Sequence, residues 1–284
     1  MAVAEFPASE DEAAQNVLGN IGKTSPWNTC PVAFLLPAGD YQFFQLEAPQ
    51  VPRAEWKAAL QWPLQEAMGS PVAEVTYDIL DIPTAAHAPG RPKMVYAVTV
   101  KNSVALANML NFRAAGLPLS VIDVPELALR NISAMLETAN RGQACLHFDA
   151  SGGLLVITFE GELYSARRID LPLSLFSQAD AERKAQLFDR VALELQRSFD
   201  AFERQYGFIT LRSLLLSQQA ELSGLAAYLR ENLYIPIDDL ALNDALDFSR
   251  CRSLENPQQQ ARYLLAIGAA LRDVTAGQPR EKQA

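Results

Sequence analysis

The chain has 284 residues, of which 49% are hydrophobic and 20% are charged. These values exclude a wholly disordered or fibrous protein, and the length suggests about two packed lobes. The 24 Lys and Arg residues against 33 Asp and Glu give a net charge of −9. Because binding to a phosphate backbone needs clustered positive charge, we expect no nucleic-acid partner.

The sequence predicts no direct insertion into a membrane. The longest nearly apolar run, residues 263–271, is much shorter than the ~20 residues that cross a bilayer. The first 25 residues are acidic and lack the basic start and apolar stretch of a secretory signal. The three cysteines, Cys30, Cys145 and Cys251, form no CxxC pair, which fits reduced thiols. We therefore expect a cytoplasmic protein that meets the membrane only through a partner.

The first half of the chain alternates short strands and helices. We expect a poorly ordered arm over residues 1–30, since large apolar residues are few there. The apolar patterns predict strands over 32–36, 41–46, 72–80, 94–100 and 119–124, and helices over 52–68, 103–115 and 125 to about 140. Pro63 should kink the first of these helices, because proline removes a backbone donor.

The second half begins with strands over 143–149, 154–159 and 163–169. The turns between them are too short for parallel connections, so these strands should be antiparallel. A long helix follows, for which Ser177 and Asp180 resemble a capping box and Gly207 marks the end. Apolar residues at three- and four-residue steps predict one face buried on a sheet: Leu187, Val191, Leu195, Phe199, Phe202 and Tyr206. A strand over 209–216, a helix over 220–232 and a strand over 235–237 complete this half.

This β-β-β-α-β-α-β order is typical of a ribonuclease-H-like half-domain, and the first half is similar around an α-β-β insertion. We therefore predict an α/β, actin-like, two-lobed fold that is trimmed at its N-terminus. The first lobe should cover 31–142, with an insertion subdomain over 52–101, and the second lobe 143–255. Residues 256–284 should form a helix that returns to the first lobe, plus a tail. The small side chains of 266–270 would permit the close helix contact that such a return requires.

Four segments carry a resemblance to a known family. Residues 117–131, LPLSVIDVPELALRN, resemble MshI proteins of MSHA pilus biogenesis, which belong with PilM, the actin-like component of type IV pilus assembly. The segments around 46–72, 193–200 and 266–272 are similar to further parts of the family, in order along the chain. The resemblance implies a peripheral inner-membrane protein that binds ATP between its lobes. It also implies a partner, because PilM-type proteins hold the short cytoplasmic peptide of a single-span, PilN-type inner-membrane protein.

The family's nucleotide site is only partly retained in this sequence. Proteins of this fold hold phosphates in two opposed hairpin turns with bare backbone. No strand pair that could form the first turn precedes Val32. In the second turn Asp149 could orient a metal-bound water, and Ser151, Gly152 and Gly153 could contact phosphate, but Ala150 stands where the family has glycine. An ordinary Gly-Gly hairpin after Asp149 explains the same residues.

Two further departures affect positions where the family has glycines. Ser217-Gln218-Gln219-Ala220 replaces the purine-binding turn, and Asp170-Leu171-Pro172-Leu173 follows the strand with Arg167 and Arg168. Phosphoryl transfer depends on positioning and charge neutralisation, so we expect a pseudo-ATPase without a cofactor. ATP and magnesium enter only under the alternative, an ATP-binding switch or ATPase.

Other groups of residues have simpler explanations. Asp149, Glu160, Glu162 and Asp170 could bind the metals of a nuclease, but the net charge opposes a polyanionic substrate. His87 and His147 lie in different contexts and predict no metal site, and Cys145 should be a buried hydrophobe.

Aromatic and basic residues are further candidates for binding a peptide or another ligand. Trp56 and Trp62, with Trp27 upstream, could form a peptide platform, but the first two lie on different helical faces, so at most one faces a groove. One of Arg167 and Arg168 should face outward, and a structural ion pair is favoured over ligand binding. The peptide-binding residues are not predicted. Together these features favour a non-catalytic scaffold in type IV pilus biogenesis over the ATP-driven alternative.

Overall fold

The computed structural model describes residues 10–23, 29–83 and 92–272. The elements of the first half are α1 (Glu10–Lys23), β1 (Val32–Leu35), β2 (Tyr41–Glu47), α2 (Trp56–Ala59), α3 (Gln61–Met68), β3 (Val75–Asp81), β4 (Met94–Lys101), α4 (Asn102–Ala114), β5 (Leu119–Asp123) and α5 (Pro125–Met135). The elements of the second half are β6 (Gly142–Asp149), β7 (Gly152–Phe159), β8 (Glu162–Ile169), α6 (Leu173–Ser177), α7 (Ala181–Tyr206), β9 (Leu211–Ser217), α8 (Leu225–Asn232), β10 (Ile237–Leu240), α9 (Pro257–Arg262) and α10 (Leu264–Ala270).

The second lobe is built on a five-stranded sheet in the order β10-β9-β6-β7-β8. Strands β6, β7 and β8 are antiparallel neighbours, as their short turns require. After helix α7 the chain returns as β9, parallel to β6, and after α8 as β10, parallel to β9. The predicted ribonuclease-H-like order is confirmed.

Helix α7 covers this sheet with the predicted apolar face. All six residues of that face are buried, and Leu195 and Val191 are completely enclosed. The predicted cap needs correction: Asp180 itself is the N-cap, and its side chain accepts a hydrogen bond from the Arg183 amide at 2.8 Å. Ser177 instead ends the short helix α6, which the sequence analysis did not predict.

The first half forms two smaller sheets. Strands β1 and β5 pair in parallel as a two-stranded sheet, and β2, β4 and β3 form an antiparallel sheet in that order. The predicted boundary of the insertion subdomain at residue 52 therefore leaves out β2, which is an edge strand of its sheet. Residues 36–40 carry the chain from the β1–β5 sheet to the β2–β4–β3 sheet. The insertion subdomain thus extends over 41–101, apart from 84–91, which the structure does not describe.

Other boundaries also differ from the sequence prediction. The strand predicted from residue 72 begins at Val75, the helix predicted from residue 220 begins at Leu225, and the strand predicted over 235–237 covers Ile237–Leu240. Within the arm predicted to be poorly ordered, residues 10–23 form α1, which packs at Gly22 against the carbonyl of Ala115 at the end of α4. The helix predicted over 52–68 is broken at Leu60, and Pro63 lies in the first turn of α3, where its missing N–H costs no hydrogen bond. Helix α5 ends at Met135 rather than near residue 140, and Asn140 has a φ of +59°.

Helix α10 returns to the first lobe, as predicted, and crosses α5 closely. A Cβ on Gly268 would lie 2.1 Å from the carbonyl oxygen of Ala128, so the crossing depends on the missing side chain. The Asn131 amide donates to the Gly268 carbonyl at 2.9 Å, and Arg272 binds the buried Asp123 carboxylate at 2.7 Å. No helix in the described part of the chain is long and apolar enough to cross a membrane.

Gly268→Ala should therefore lower the free energy of unfolding by about 1–3 kcal/mol, the usual cost of overpacking. At a solvent-exposed position inside a helix, a Gly→Ala substitution instead raises the free energy of unfolding by about 1 kcal/mol. Gly19→Ala in α1, where nothing lies within 4 Å of the new Cβ, is the matched control. Urea unfolding followed by circular dichroism measures both, and a Gly268→Ala variant as stable as the wild type would contradict the close crossing.

Candidate functional site

The candidate site lies where β6, β8 and β9 end beside the first lobe. At the turn from β6 to β7 the Asp149 carboxylate accepts hydrogen bonds from both the amide and the hydroxyl of Ser151, at 2.7 and 2.5 Å. Both hydrogen bonds go to Oδ1, so one oxygen of the carboxylate that could orient a metal-bound water is engaged within its own turn. A hairpin closed in this way is stable without a ligand.

Contacts with neighbouring strands account for both glycines of this turn. Gly152 has a φ of +123°, and a Cβ there would lie 2.5 Å from the carbonyl oxygen of Ile169. A Cβ on Gly153 would lie 2.8 Å from the ring of Phe148. Packing within the sheet therefore requires these glycines, in agreement with the ordinary-hairpin interpretation, and phosphate binding by Asp149, Ser151, Gly152 and Gly153 stays a prediction.

Side chains fill the space at the end of β9, the position at which the family described above has its purine-binding turn. Ser217 donates to the side-chain oxygen of Gln219 at 2.9 Å, and the Gln219 amide donates to the carbonyl of Phe148. Nδ1 of His147 lies 3.1 Å from the Ser217 hydroxyl. This chain of hydrogen bonds ties the ends of β6 and β9 together with side chains rather than leaving bare backbone.

The residues that follow β8 are also part of the packed core. Leu171 is completely buried, and its amide bonds to the carbonyl of Ile169 at 2.8 Å. Pro172 is the N-cap of α6. Residues that replace the family's glycines at this position therefore anchor α6 to the core.

An ion pair that the sequence analysis did not assign to a site lies beside the β6–β7 turn. Arg168 on β8 contacts the Glu126 carboxylate of α5 through Nε and Nη2, both at 3.0 Å. Its Nη1 lies 3.3 Å from the Ser151 hydroxyl, and its Nη2 donates to the Tyr41 hydroxyl. Tyr41 in turn donates to the other Glu126 oxygen at 2.5 Å. The predicted structural ion pair is confirmed for Arg168, whose side chain stays 32% exposed.

One feature of the sequence indicates that Glu126 has a partner: it is a charged residue among apolar neighbours. Glu126 follows Pro125 in an otherwise apolar helix start, and its side chain is only 3% exposed. Burial, followed by the Glu126 charge, raises the pKa of Tyr41 well above its ordinary value, so its hydroxyl stays protonated and donates.

Only one of the two tryptophans Trp56 and Trp62 is exposed, as predicted, although they lie on two helices, α2 and α3, rather than on two faces of one helix. Trp56 is buried and donates from Nε1 to the carbonyl of Val51 at 3.1 Å. Trp62 is 75% exposed and lines a groove of about 450 Å³ beside Glu66 and Pro71. Trp27 lies outside the described residues.

The remaining polar candidates do not converge. Glu160, Glu162 and Asp170 are exposed, and within 10–23, 29–83 and 92–272 no group of three His, Cys, Asp or Glu residues is placed to hold a metal ion. His87 is outside the described residues. Cys145 is completely buried, and burial raises the pKa of its thiol.

Comparison with known proteins identifies the fold. No protein-family model and no curated protein matches the sequence. A chain of the solved PilM–PilN type IV pilus biogenesis complex matches with a TM-score of 0.70 and 20% identity, over 98% of this chain and 88% of that one. The chain has an actin-like fold, shared with a chain of this complex.

Two further solved structures are less similar to this chain. The cytoplasmic domain of EpsL, an inner-membrane component of the Vibrio cholerae type II secretion system, has a TM-score of 0.47 and 14% identity, over 90% of this chain and 80% of that one. A protein of unknown function with an actin-like ATPase fold from Bacteroides thetaiotaomicron has a TM-score of 0.47 and 11% identity, over 89% and 80%.

The buried histidine at the end of β6 gives a pH-dependent prediction. Burial lowers the pKa of His147 to about 4, and the Asp149 carboxylate opposes this shift. In the unfolded chain the pKa is about 6.5, so protonation favours unfolding. The stability from the neutral ring is complete above pH 6.5 and is lost as the pH falls to about 4.

The free energy of unfolding should therefore fall by about 2–3 kcal/mol more in the wild type than in His147→Asn between these two pH values. Asn titrates no proton and offers an amide near the Ser217 hydroxyl. Urea unfolding across this pH range measures the difference, and parallel pH profiles for the two proteins would show that His147 does not bury a neutral ring.

Proposed function

We propose that the chain is a non-catalytic, cytoplasmic scaffold of MSHA-type pilus biogenesis, peripheral to the inner membrane. Its partner is the cytosolic tail of a PilN-type, single-span inner-membrane protein, and it needs no cofactor. The observation that carries the proposal is the PilM-type fold, which extends over 98% of the chain. The resemblance of residues 117–131 to MshI proteins supports the finer assignment.

Residues 117–131 lie where distant parts of the chain meet. They contain β5 and the start of α5, where three contacts join distant parts of the chain. Asp123 binds Arg272, Glu126 binds Arg168, and Asn131 binds the carbonyl of Gly268. A segment with three such partners specifies how the lobes and the last helix meet.

The geometry of the cleft supports the absence of catalysis. A triphosphate needs amide donors from both lobes, and in the described residues the first-lobe sheet consists of β1 and β5 alone. In the second lobe, Ser151 engages Asp149, while Gln219 and Arg168 reach into the space beside the turn. Phosphoryl transfer without two positioned clamps would be very slow.

The alternative is an ATP-binding switch, which Asp149 and the glycine pair favour because they lie at the expected turn. In such a switch, nucleotide binding would change the affinity for the partner, typically by 5- to 150-fold. A scaffold shows no such coupling. The two functions therefore differ in whether Mg-ATP changes the Kd of the partner peptide.

The test is calorimetric titration with a synthetic peptide of the cytosolic tail of a PilN-type protein from the same organism, with and without millimolar Mg-ATP. We expect saturable binding whose Kd changes by less than about two-fold with nucleotide, below the coupling typical of a switch. A scrambled peptide of the same composition is the control.

Either of two results would overturn the proposal. Equal heats for the native and scrambled peptides would remove the assigned partner. A Kd that depends on Mg-ATP by five-fold or more, accompanied by phosphate release, would favour the ATP-driven switch instead.

A further inference from the structure

The insertion subdomain contacts the second lobe at two separate points. At the first, which we name the clasp, Tyr41, Glu126, Ser151 and Arg168 join four elements. Tyr41 opens β2, Glu126 lies in the first turn of α5, Ser151 is in the β6–β7 turn, and Arg168 is on β8. One guanidinium therefore links the insertion sheet, the first lobe and the second lobe.

The clasp satisfies its polar groups within itself. The Glu126 carboxylate accepts on both oxygens, from Arg168 at 3.0 Å and from Tyr41 at 2.5 Å. Arg168 also lies over the Tyr41 ring, with its guanidinium carbon 5.8 Å from the centroid. Because Glu126 is 3% and Arg168 32% exposed, loss of the arginine would leave a buried carboxylate without its cation.

At the second point, aromatic side chains hold the insertion sheet to the edge strand β8. The Tyr96 hydroxyl of β4 donates to the carbonyl of Tyr164 at 3.0 Å. Phe43 packs against Tyr96 with the rings tilted by 41° and their centroids 4.8 Å apart, and Tyr164 packs edge-on against Tyr206 of α7 at 5.2 Å. These contacts also cover backbone that an edge strand would otherwise expose.

We propose that the clasp keeps the insertion subdomain closed on the second lobe without any ligand, with Arg168 acting as the resident cation of the cleft. Arg168 Nη1 lies 3.3 Å from the Ser151 hydroxyl, so an anion bound at that turn would compete with Glu126 for the guanidinium. Closure is then a fixed property of the chain rather than a response to nucleotide. This proposal stands whether or not a PilN-type tail binds, because it concerns the distance between two parts of one molecule.

The experiment measures that distance by double electron–electron resonance. Spin labels are placed at exposed positions on α3 and α7, through Gln61→Cys and Glu203→Cys, in a Cys30→Ser/Cys251→Ser background. Cys145 is retained because it is completely buried. We expect one narrow distance distribution for the ligand-free protein, unchanged by millimolar Mg-ATP.

Arg168→Gln should convert the narrow distribution into a broader one shifted to longer distances. Arg167→Gln, at the exposed neighbouring arginine, should leave it unchanged. If Arg168→Gln lowers the folded fraction, the double variant Arg168→Gln/Glu126→Gln leaves no buried charge and should fold with the same broadened distribution.

Three results would overturn the inference. One is a distribution that stays narrow and unshifted in the folded Arg168→Gln or double variant. Another is a broad distribution in the ligand-free wild type that narrows only with Mg-ATP. The third is equal broadening by Arg167→Gln, which would show a general effect of charge.

Discussion

The buried carboxylate of Glu126 is the constraint on which the cleft depends. A charge that is 3% exposed is costly unless a partner and hydrogen bonds compensate it. The N-terminus of α5 favours a negative charge at this position, but the compensating cation comes from Arg168 on β8. Because these residues are 42 positions apart, the requirement fixes how the first lobe meets the second.

The pairing of Arg168 with Glu126 also affects the neighbouring β6–β7 turn. The guanidinium of Arg168 contacts the hydroxyl of Ser151, which is itself hydrogen-bonded to Asp149. Gln219 closes the adjacent end of β9 against Phe148. A PilM-type fold is thus combined with a cleft whose polar groups bind one another, which is the physical basis for proposing a scaffold rather than an ATPase.

The sequence predicted the second lobe well because its signals are local. Short turns dictate antiparallel strands, and the face of α7 repeats at the helical period over six apolar residues. The membership of β2 could not be predicted in this way, since residues 36–40 look like a turn whether the chain returns to the same sheet or enters another. Likewise, Ser177 and Asp180 both suit a cap, and the end of α6 decides between them.

The candidate site was predictable in its positions but not in its contacts. The lack of glycine at Gln219 and Leu171 is visible in the sequence, and the structure adds that one binds Phe148 and the other fills the core. Glu126 lies within the family-like segment 117–131 and Tyr41 lies in no motif, but neither position indicates their mutual contact, which joins residues 85 positions apart. Long-range polar networks of this kind leave only a weak trace, a charged residue within an apolar stretch.

A crystal structure grown with excess Mg-ATP analogue and the partner peptide tests the central claim most directly. The account predicts density for Arg168 on Glu126 and for Gln219 on the Phe148 carbonyl, with no ordered nucleotide between the lobes. An ordered triphosphate on the turn at Ser151, with Arg168 displaced from Glu126, would contradict it.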